Sequence, residues 1–312
     1  PEFLERRYNS ASRTLLSIIS LISYVLTKVA VTVYAGGIVF KEVFGIDSIL
    51  GIDFFWIGAI GLVIITGIYT VIGGMKSVLY TSVLQTPVLL IGSITILVIG
   101  LIKIGGWSEL MEICGNINVT YTDDMGNVTY SSNTDMMTNL IRSANDPEFP
   151  WTGVLFGSAI IGFWYWCTDQ YIVQRILSGK DQKQARRGTI FGAYLKLTPV
   201  FIFLIPGMIA FALNEKGIVD LSSSDAAFPT MVSALLPAGL KGVVVGGLLA
   251  ALMSSLASLF NSSAMLFTVD FYKKYRPDAP EKQLVKVGRI ATVVIVILGI
   301  LWIPVMQSMG SV

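Results

Sequence analysis

Apolar residues are concentrated in long blocks along this chain, and polar residues are concentrated between the blocks. We distinguish seven apolar segments, at 14–40, 54–73, 78–104, 151–178, 188–213, 229–270 and 284–308. Several exceed the roughly 18–20 residues that a helix needs to cross the hydrocarbon of a bilayer. Lipid offers no partner for free backbone groups and no barrel-like alternation is visible, so we predict that all seven are helices. The pattern therefore predicts an all-α, polytopic membrane protein.

The sixth segment is too long for one simple crossing. Pro237 and Gly239 are expected to separate a short piece from the main helix, because proline cannot continue a helix from the preceding turn. A second irregularity is expected at Asn261–Ser263.

Composition supports this class and excludes several kinds of chemistry. Of the 312 residues, 54% are hydrophobic and only 13% are charged, whereas ordinary domains carry roughly 25% charged residues. The chain has no histidine, which excludes histidine-based catalysis and most zinc chemistry. We find no nucleotide or metal motif and no acid/base partner for Asp169, so neither an enzyme nor a nucleic-acid partner is expected.

Basic residues are distributed unevenly among the connections between segments. The N-terminus, Lys76 and the connections 175–187 and 273–289 hold 15 of the 22 Lys and Arg residues. The positive-inside rule therefore predicts a cytoplasmic N-terminus and an extracellular loop at 105–150, in an integral, multi-pass protein of the plasma membrane.

The fourth segment places the polar and aromatic stretch WYWCTDQ inside an apolar run. At a rise of 1.5 Å per residue, Tyr165 lies about 21 Å into the segment, which is too deep for an interfacial aromatic belt. Helical spacing puts Gly162, Tyr165, Trp166 and Asp169 on one face. Such a face can stack against a sugar and hydrogen-bond its hydroxyls. The alternative is a set of packing aromatics with Asp169 paired to a neighbouring cation.

Two lysines also lie within apolar segments. Lys196 is about two turns from the cytoplasmic end of the fifth segment, where it either snorkels to the interface or donates to substrate hydroxyls. Pro199 and Pro206 follow it and are expected to bend the helix. Lys28 is near the centre of the first segment and is expected to face protein or water.

Small residues recur every three or four positions in the sixth segment. Close helix packing is one interpretation of this stripe. The other is a site for a hard cation such as Na⁺, in which Ala251, Ser254 and Ser255 supply neutral oxygens. The two interpretations are compatible, because a second helix packed closely would complete the coordination shell.

Several motifs resemble the sodium/solute symporter family, and specifically its sodium–glucose cotransporter branch. These are GIYTVIGGMKSVLYTSVLQT (67–86), FWYWCTDQYIVQR (163–175), GAYLKLTPVFIFLIPGMIA (192–210) and AALMSSLASLFNSSAMLFTVDFYKKY (250–275). The resemblance implies a core of two inverted five-helix repeats. Residues 1–104 would supply core helices three to five, 105–150 the extracellular loop, and 151–312 core helices six to nine. The remaining core helices would be partners from outside these residues, so this chain alone is not expected to transport.

The resemblance also implies roles for individual residues. The sugar-binding aromatic pair falls on Tyr165 and Trp166, and the sugar-binding lysine falls on Lys196. The sodium ligands fall on Ala251, Ser254 and Ser255. Two positions depart from the family: Ser82 stands where related members have an acid, and Gly162 stands where they have a hydrogen-bonding side chain.

The sequence therefore predicts a secondary active transporter that couples Na⁺ to the symport of a hexose such as glucose or galactose. One alternative is Na⁺-coupled symport of myo-inositol or another polyol, since the same residues suit any ring of hydroxyls. A second alternative is a protein that binds sugar as a sensor without carrying it.

Overall fold

The computed structural model describes residues 1–117, 120–122, 127–131, 137–139 and 141–308, and of 74–77, 84 and 306–308 the backbone only. Its helices in chain order are α1 (Glu2–Arg7), α2 (Ser10–Ser23), α3 (Ala30–Phe44), α4 (Phe54–Ile104), α5 (Trp107–Gly115), α6 (Trp151–Phe163), α7 (Gln170–Leu177), α8 (Gln182–Leu195), α9 (Ile205–Glu215), α10 (Ala227–Leu235), α11 (Ala238–Leu266), α12 (Lys273–Tyr275) and α13 (Glu281–Ser308). Four π-helical segments adjoin these helices, at Tyr24–Val29, Trp164–Thr168, Val200–Leu204 and Phe267–Tyr272, and Ser224–Ala226 forms a 3₁₀ turn. Two antiparallel hairpins lie in the connections, β1 (Ser48–Ile49) with β2 (Ile52–Asp53) and β3 (Thr120–Thr122) with β4 (Val128–Ser131).

Six helical stretches among the described residues are long and apolar enough to cross a bilayer. They are Ser10–Phe44, Phe54–Gly73, Val78–Ile104, Gln182–Glu215, Ala238–Tyr275 and Glu281–Val305. They correspond to six of the seven predicted segments and confirm an all-α, multi-pass membrane protein. The second and third of them follow one another within the single helical element α4.

The fourth predicted segment, 151–178, is not one continuous helix, and the prediction was wrong on this point. After α6 the backbone forms the π-helical segment 164–168, and Asp169 then adopts an extended conformation with φ −70° and ψ 110°. The Asp169 carboxylate accepts the N–H of Tyr171 at 3.3 Å, the bond of an N-cap residue, and α7 begins at the next residue. The Asp169 residue therefore separates the π-helical segment from α7, because its extended backbone leaves the first helix and its carboxylate caps the second.

The predicted break in the sixth segment is confirmed, since Pro237 is the N-cap of α11 and α10 ends at Leu235. The predicted second irregularity at Asn261–Ser263 is wrong, because α11 continues through it to Leu266. The hydroxyl of Ser262 donates to the carbonyl of Ser258, one turn earlier, at 2.6 Å, and the helix continues through this position. The irregularity comes later, in the π-helical segment 267–272.

The helices form two compact units. The first contains residues 1–92, 174–180 and 237–312, and helices α3, α11 and α13 pack against one another within it. Close approach there depends on glycine: a Cβ on Gly37 would lie 2.4 Å from the ring of Phe55. The second unit contains residues 93–173 and 181–236, and its α9 packs against α5 and α10.

Candidate functional site

An aromatic pair occupies the π-helical segment after α6, in the second unit. The ring centroids of Tyr165 and Trp166 lie 5.4 Å apart with an interplanar angle of 84°. Both residues are half-buried. A π-helical turn re-aims consecutive side chains relative to the α-helix before it and is often found at functional sites. The pair offers partly accessible aromatic rings and two polar groups, the Tyr hydroxyl and the Trp N–H.

Lys196 joins this pair from the end of α8. Its Nζ lies 4.7 Å from the centroid of the Tyr165 ring, within the range of a cation–π contact. The helix ends at Leu195, four residues before Pro199, because a proline ring clashes with the carbonyl four residues earlier. The helix is thus interrupted next to Pro199, and the π-helical segment 200–204 follows; the predicted bend stays a prediction. We call Tyr165, Trp166 and Lys196 the aromatic–lysine cluster.

Asp169 is near this cluster in sequence but has a different environment. Its side chain is buried, with the residue 1% exposed, and one of its oxygens caps α7. The prediction that it shares one helix face with Gly162, Tyr165 and Trp166 was wrong, because the helical run ends before it. Direct contact of Asp169 with a substrate stays a prediction.

The predicted cation ligands lie on α11, in the first unit. Ala251, Ser254 and Ser255 are separated by three and four residues, so they lie on adjacent positions of one helix face. Ser254 is 5% exposed, and its hydroxyl lies 2.6 Å from that of Ser82 on α4. Ser82 donates its own proton to the carbonyl of Val78 at 2.8 Å, so Ser254 is the donor between the two hydroxyls.

Ser82, which departs from the family pattern in the sequence, lies in contact with a predicted cation ligand. At the position where the resemblance to the family implies an acid, this chain has a hydroxyl beside Ser254. The oxygens in contact here, the hydroxyls of Ser82 and Ser254 and the Val78 carbonyl, are all neutral. We call Ser82, Ala251, Ser254 and Ser255 the serine cluster.

Tyr69 is a site residue that sequence reasoning missed. Its hydroxyl donates to the carbonyl of Met253 at 2.8 Å and ties α4 to α11 next to Ser254. Tyr69 stands in the GIYTVIGG motif, which the sequence analysis had quoted. The sequence alone does not show that its hydroxyl binds the Met253 carbonyl.

Gln174 and Arg175 were also missed. They lie near the end of the fourth apolar segment, where the basic residues indicate a cytoplasmic connection. The amide of Gln174, a residue only 8% exposed, donates to the hydroxyl of Ser262 at 2.6 Å. The guanidinium of Arg175 donates to the hydroxyl of Ser258. Serines every fourth residue from Ser254 to Ser262 were the available signal. Lys28, as predicted, contacts protein, with its Nζ 4.8 Å from the ring of Tyr24.

Comparisons with known proteins agree on one family. The family model described as "Sodium:solute symporter family" matches residues 1–312. The chain is 37% identical over 330 residues to Sodium/glucose cotransporter 1 of Sus scrofa, with 100% of this chain and 48% of the relative covered. It is 37% identical over 328 residues to Sodium/mannose cotransporter SLC5A10 of Bos taurus (99% and 52% covered). It is 37% identical over 322 residues to Sodium/myo-inositol cotransporter 2 of Homo sapiens (99% and 46% covered). The chain thus spans about half the length of these relatives.

A solved structure shares the fold. It is a Na⁺-coupled sialic acid symporter in a substrate-bound outward-open state, with a TM-score of 0.74 and 21% sequence identity. The match covers 99% of this chain and 61% of that one. The helical membrane fold predicted from the sequence is therefore shared with that structure.

Proposed function

The chain belongs to the sodium:solute symporter family, and from this premise we propose that it forms part of a secondary active transporter for Na⁺-coupled symport of a hexose such as glucose or galactose. Its relatives are named as sodium cotransporters of glucose, mannose and myo-inositol. The contact between Lys196 and the Tyr165 ring is the observation that carries the proposal.

In this proposal the aromatic–lysine cluster binds the sugar. One face of a hexose is a row of C–H groups that packs on an aromatic ring, and its edge carries hydroxyls that need polar partners. Tyr165 and Trp166 supply the rings, and Lys196 supplies a charged donor at 4.7 Å from one of them. Asp169 supports the pair by fixing the helix break that follows it, or contacts the substrate itself as the sequence predicted.

Na⁺ is bound as co-substrate by the serine cluster. A hard cation prefers oxygen ligands, and Na⁺ accepts neutral ones: the Ala251 carbonyl and the hydroxyls of Ser254 and Ser255. Ser82 adds a fourth oxygen 2.6 Å from that of Ser254. The four residues of the serine cluster carry no carboxylate, so they would stabilise the ion with dipoles, which suits an ion that must also leave.

Coupling requires that Na⁺ and sugar favour the same conformational state. A ligand shifts an equilibrium only by its differential affinity for the two states, so each co-substrate must bind one state more tightly than the other. The transporter then carries sugar inward with its membrane-embedded helices, the N-terminus lying in the cytoplasm and 105–150 outside. Residues 1–104 and 151–312 would supply core helices three to five and six to nine of the inverted repeats.

Symport of myo-inositol or another polyol is the second candidate, favoured by the 37% identity to Sodium/myo-inositol cotransporter 2. A ring of hydroxyls without a ring oxygen would make the same contacts with Tyr165 and Lys196. Competition between the two kinds of substrate separates the candidates.

The test is uptake of labelled galactose by proteoliposomes containing the whole transporter of which this chain forms part, under an inward Na⁺ gradient and under a matched K⁺ gradient. We expect accumulation above equilibrium with Na⁺ only, and little inhibition by excess myo-inositol. Strong inhibition by inositol would indicate that the substrate is a polyol and not a hexose. Sugar binding without accumulation in either gradient would contradict transport and leave a sensor.

A further inference from the structure

A groove on the first unit lies apart from both clusters. It runs between α2 with its π-helical extension 24–29, the π-helical segment 267–272, and α13, and it encloses about 640 Å³. Apart from Tyr272, its lining side chains are apolar, and Ile22, Ile290 and Val294 are about half exposed. We call it the α2–α13 groove.

The length of the groove matches one leaflet of a bilayer. On α13 its lining extends from Val287 to Leu298, twelve residues that span about 16 Å of helix. This is about half of the roughly 30 Å of hydrocarbon in a bilayer. Ligand cavities generally have 300–1,000 Å³, so the volume suits a small apolar ligand or one extended chain.

One end of the groove is polar and the other is not. Gln283, one turn before Val287, donates from its amide to the hydroxyl of Tyr272 at 2.7 Å. On the α2 side, Lys274 donates to the hydroxyl of Thr14 at 2.9 Å, and Thr14 lies two turns before Ile22. The apolar groove therefore ends at a band of polar side chains at one membrane surface.

This polar end carries an excess of positive charge. Between Tyr272 and Ile290 the sequence has six basic residues, Lys273, Lys274, Arg276, Lys282, Lys286 and Arg289, and two acidic ones, Asp278 and Glu281. Lys286 lies one turn before Ile290 on the stripe that lines the groove, and both lysines beside the groove, 274 and 286, are exposed. Glu5 is an acidic neighbour of Lys274, and its carboxylate is bound to Arg13 at 2.5 Å.

We propose that the α2–α13 groove binds one anionic phospholipid, with an acyl chain along α13 and the phosphate between Lys274 and Lys286. The apolar lining supplies affinity for the chain, and the basic end distinguishes anionic from zwitterionic headgroups. Basic residues at the cytoplasmic surface attract anionic lipids by about 1 kcal/mol each. Two lysines therefore give a preference of tenfold or more for the anionic lipid.

The test titrates the purified, delipidated full chain with phosphatidylglycerol and with phosphatidylcholine of the same acyl chains, and counts bound lipids by native mass spectrometry. We expect one site with at least a tenfold preference for phosphatidylglycerol. The double substitution Lys274→Gln/Lys286→Gln should abolish the preference. The matched control Lys180→Gln/Lys183→Gln, which removes the same charge from another connection, should retain it. Equal binding of both lipids, or an equal loss in the control, would overturn the proposal.

A second measurement locates the lipid and does not depend on a substituted protein folding. Phosphatidylglycerol with a photoreactive group in its acyl chain is cross-linked to the unsubstituted full chain, and the labelled peptides are identified. Label on residues 21–26 and 287–298 is expected. Label spread evenly over other apolar helices, or excluded from the groove because another protein segment covers it, would refute the assignment.

Discussion

Lys196 owes its place beside Tyr165 to Pro199, three residues further along the chain. The proline ends α8 at Leu195, and the lysine leaves the helix end with its Nζ 4.7 Å from the Tyr165 ring. A lysine that snorkels to the interface can also lie over an aromatic ring, so this contact agrees with both interpretations of Lys196. In the proposed function, this position gives the Tyr165 ring a charged donor beside it.

Substitution of this lysine tests its role in sugar binding. Lys196→Met keeps an unbranched side chain but removes the donor. A hydrogen bond to a charged group contributes about 1.5–3 kcal/mol, so the KM for sugar should rise by tenfold or more. The measurement is the concentration dependence of Na⁺-driven sugar uptake, with Lys180→Met as the control. An unchanged KM in Lys196→Met would mean that the lysine does not bind the sugar.

At the residue scale, the sequence was informative about residue types and less so about partners. A deep aromatic pair, a lysine before a proline and adjacent serines stand out because lipid makes polar groups costly. The contacts of Tyr69 with the Met253 carbonyl and of Arg175 with Ser258 depend on which helices meet. No local pattern in a single sequence specifies that choice.

At the scale of elements, hydropathy predicted where helices lie better than where they break. The break at Pro237 could be predicted from the sequence, because proline has no N–H to donate within a helix. The break at Asp169 was not predicted, since an aspartate within a segment does not by itself show that its carboxylate caps a following helix. The π-helical segments likewise depend on packing that hydropathy does not contain.

Two neighbouring glycines on α11 test the close packing of that helix. A Cβ on Gly247 would lie 2.6 Å from Cγ1 of Val88, whereas a Cβ on Gly246 would meet nothing within 4 Å. Gly247→Ala should therefore destabilise the protein by about 1–3 kcal/mol through overpacking. Gly246→Ala is the matched control and should leave the melting temperature in detergent unchanged or slightly raised. Equal melting temperatures for the two variants would contradict this packing.

The loop before α6 is stabilised by a buried carboxylate, which predicts a pH dependence. Asp146 accepts the N–H groups of Phe149 at 2.8 Å and Glu148 at 2.9 Å. Chiefly the Phe149 bond lowers the pKa of Asp146 below its ordinary value. Because the folded pKa is depressed, the carboxylate contributes stability above about pH 4, and this is lost as the pH falls through the folded pKa.

Thermal unfolding of Asp146→Asn and of the wild type at several pH values checks this. The variant should have the lower melting temperature at pH 7, and the difference should shrink below about pH 4. Glu112→Gln, which removes an exposed acid from the same unit, serves as the control. A difference between Asp146→Asn and wild type that does not change with pH would contradict a role for the ionised carboxylate.

For the whole molecule, the two candidate clusters lie in different compact units. Tyr165, Trp166 and Lys196 belong to the second unit, and Ser82, Ala251, Ser254 and Ser255 belong to the first. Neither cluster alone moves a solute against its gradient. The central claim is therefore that the ion and the sugar are bound by one carrier and that each drives the other, since coupling between two ligands is reciprocal.

The most direct measurement is entry of labelled Na⁺ into proteoliposomes of the whole transporter of which this chain forms part, driven by an inward galactose gradient without a Na⁺ gradient. The account predicts that galactose stimulates Na⁺ entry, and that Ser255→Ala abolishes the stimulation while Ser178→Ala, at an exposed serine, retains it. Na⁺ entry that is the same with and without galactose would contradict coupled transport.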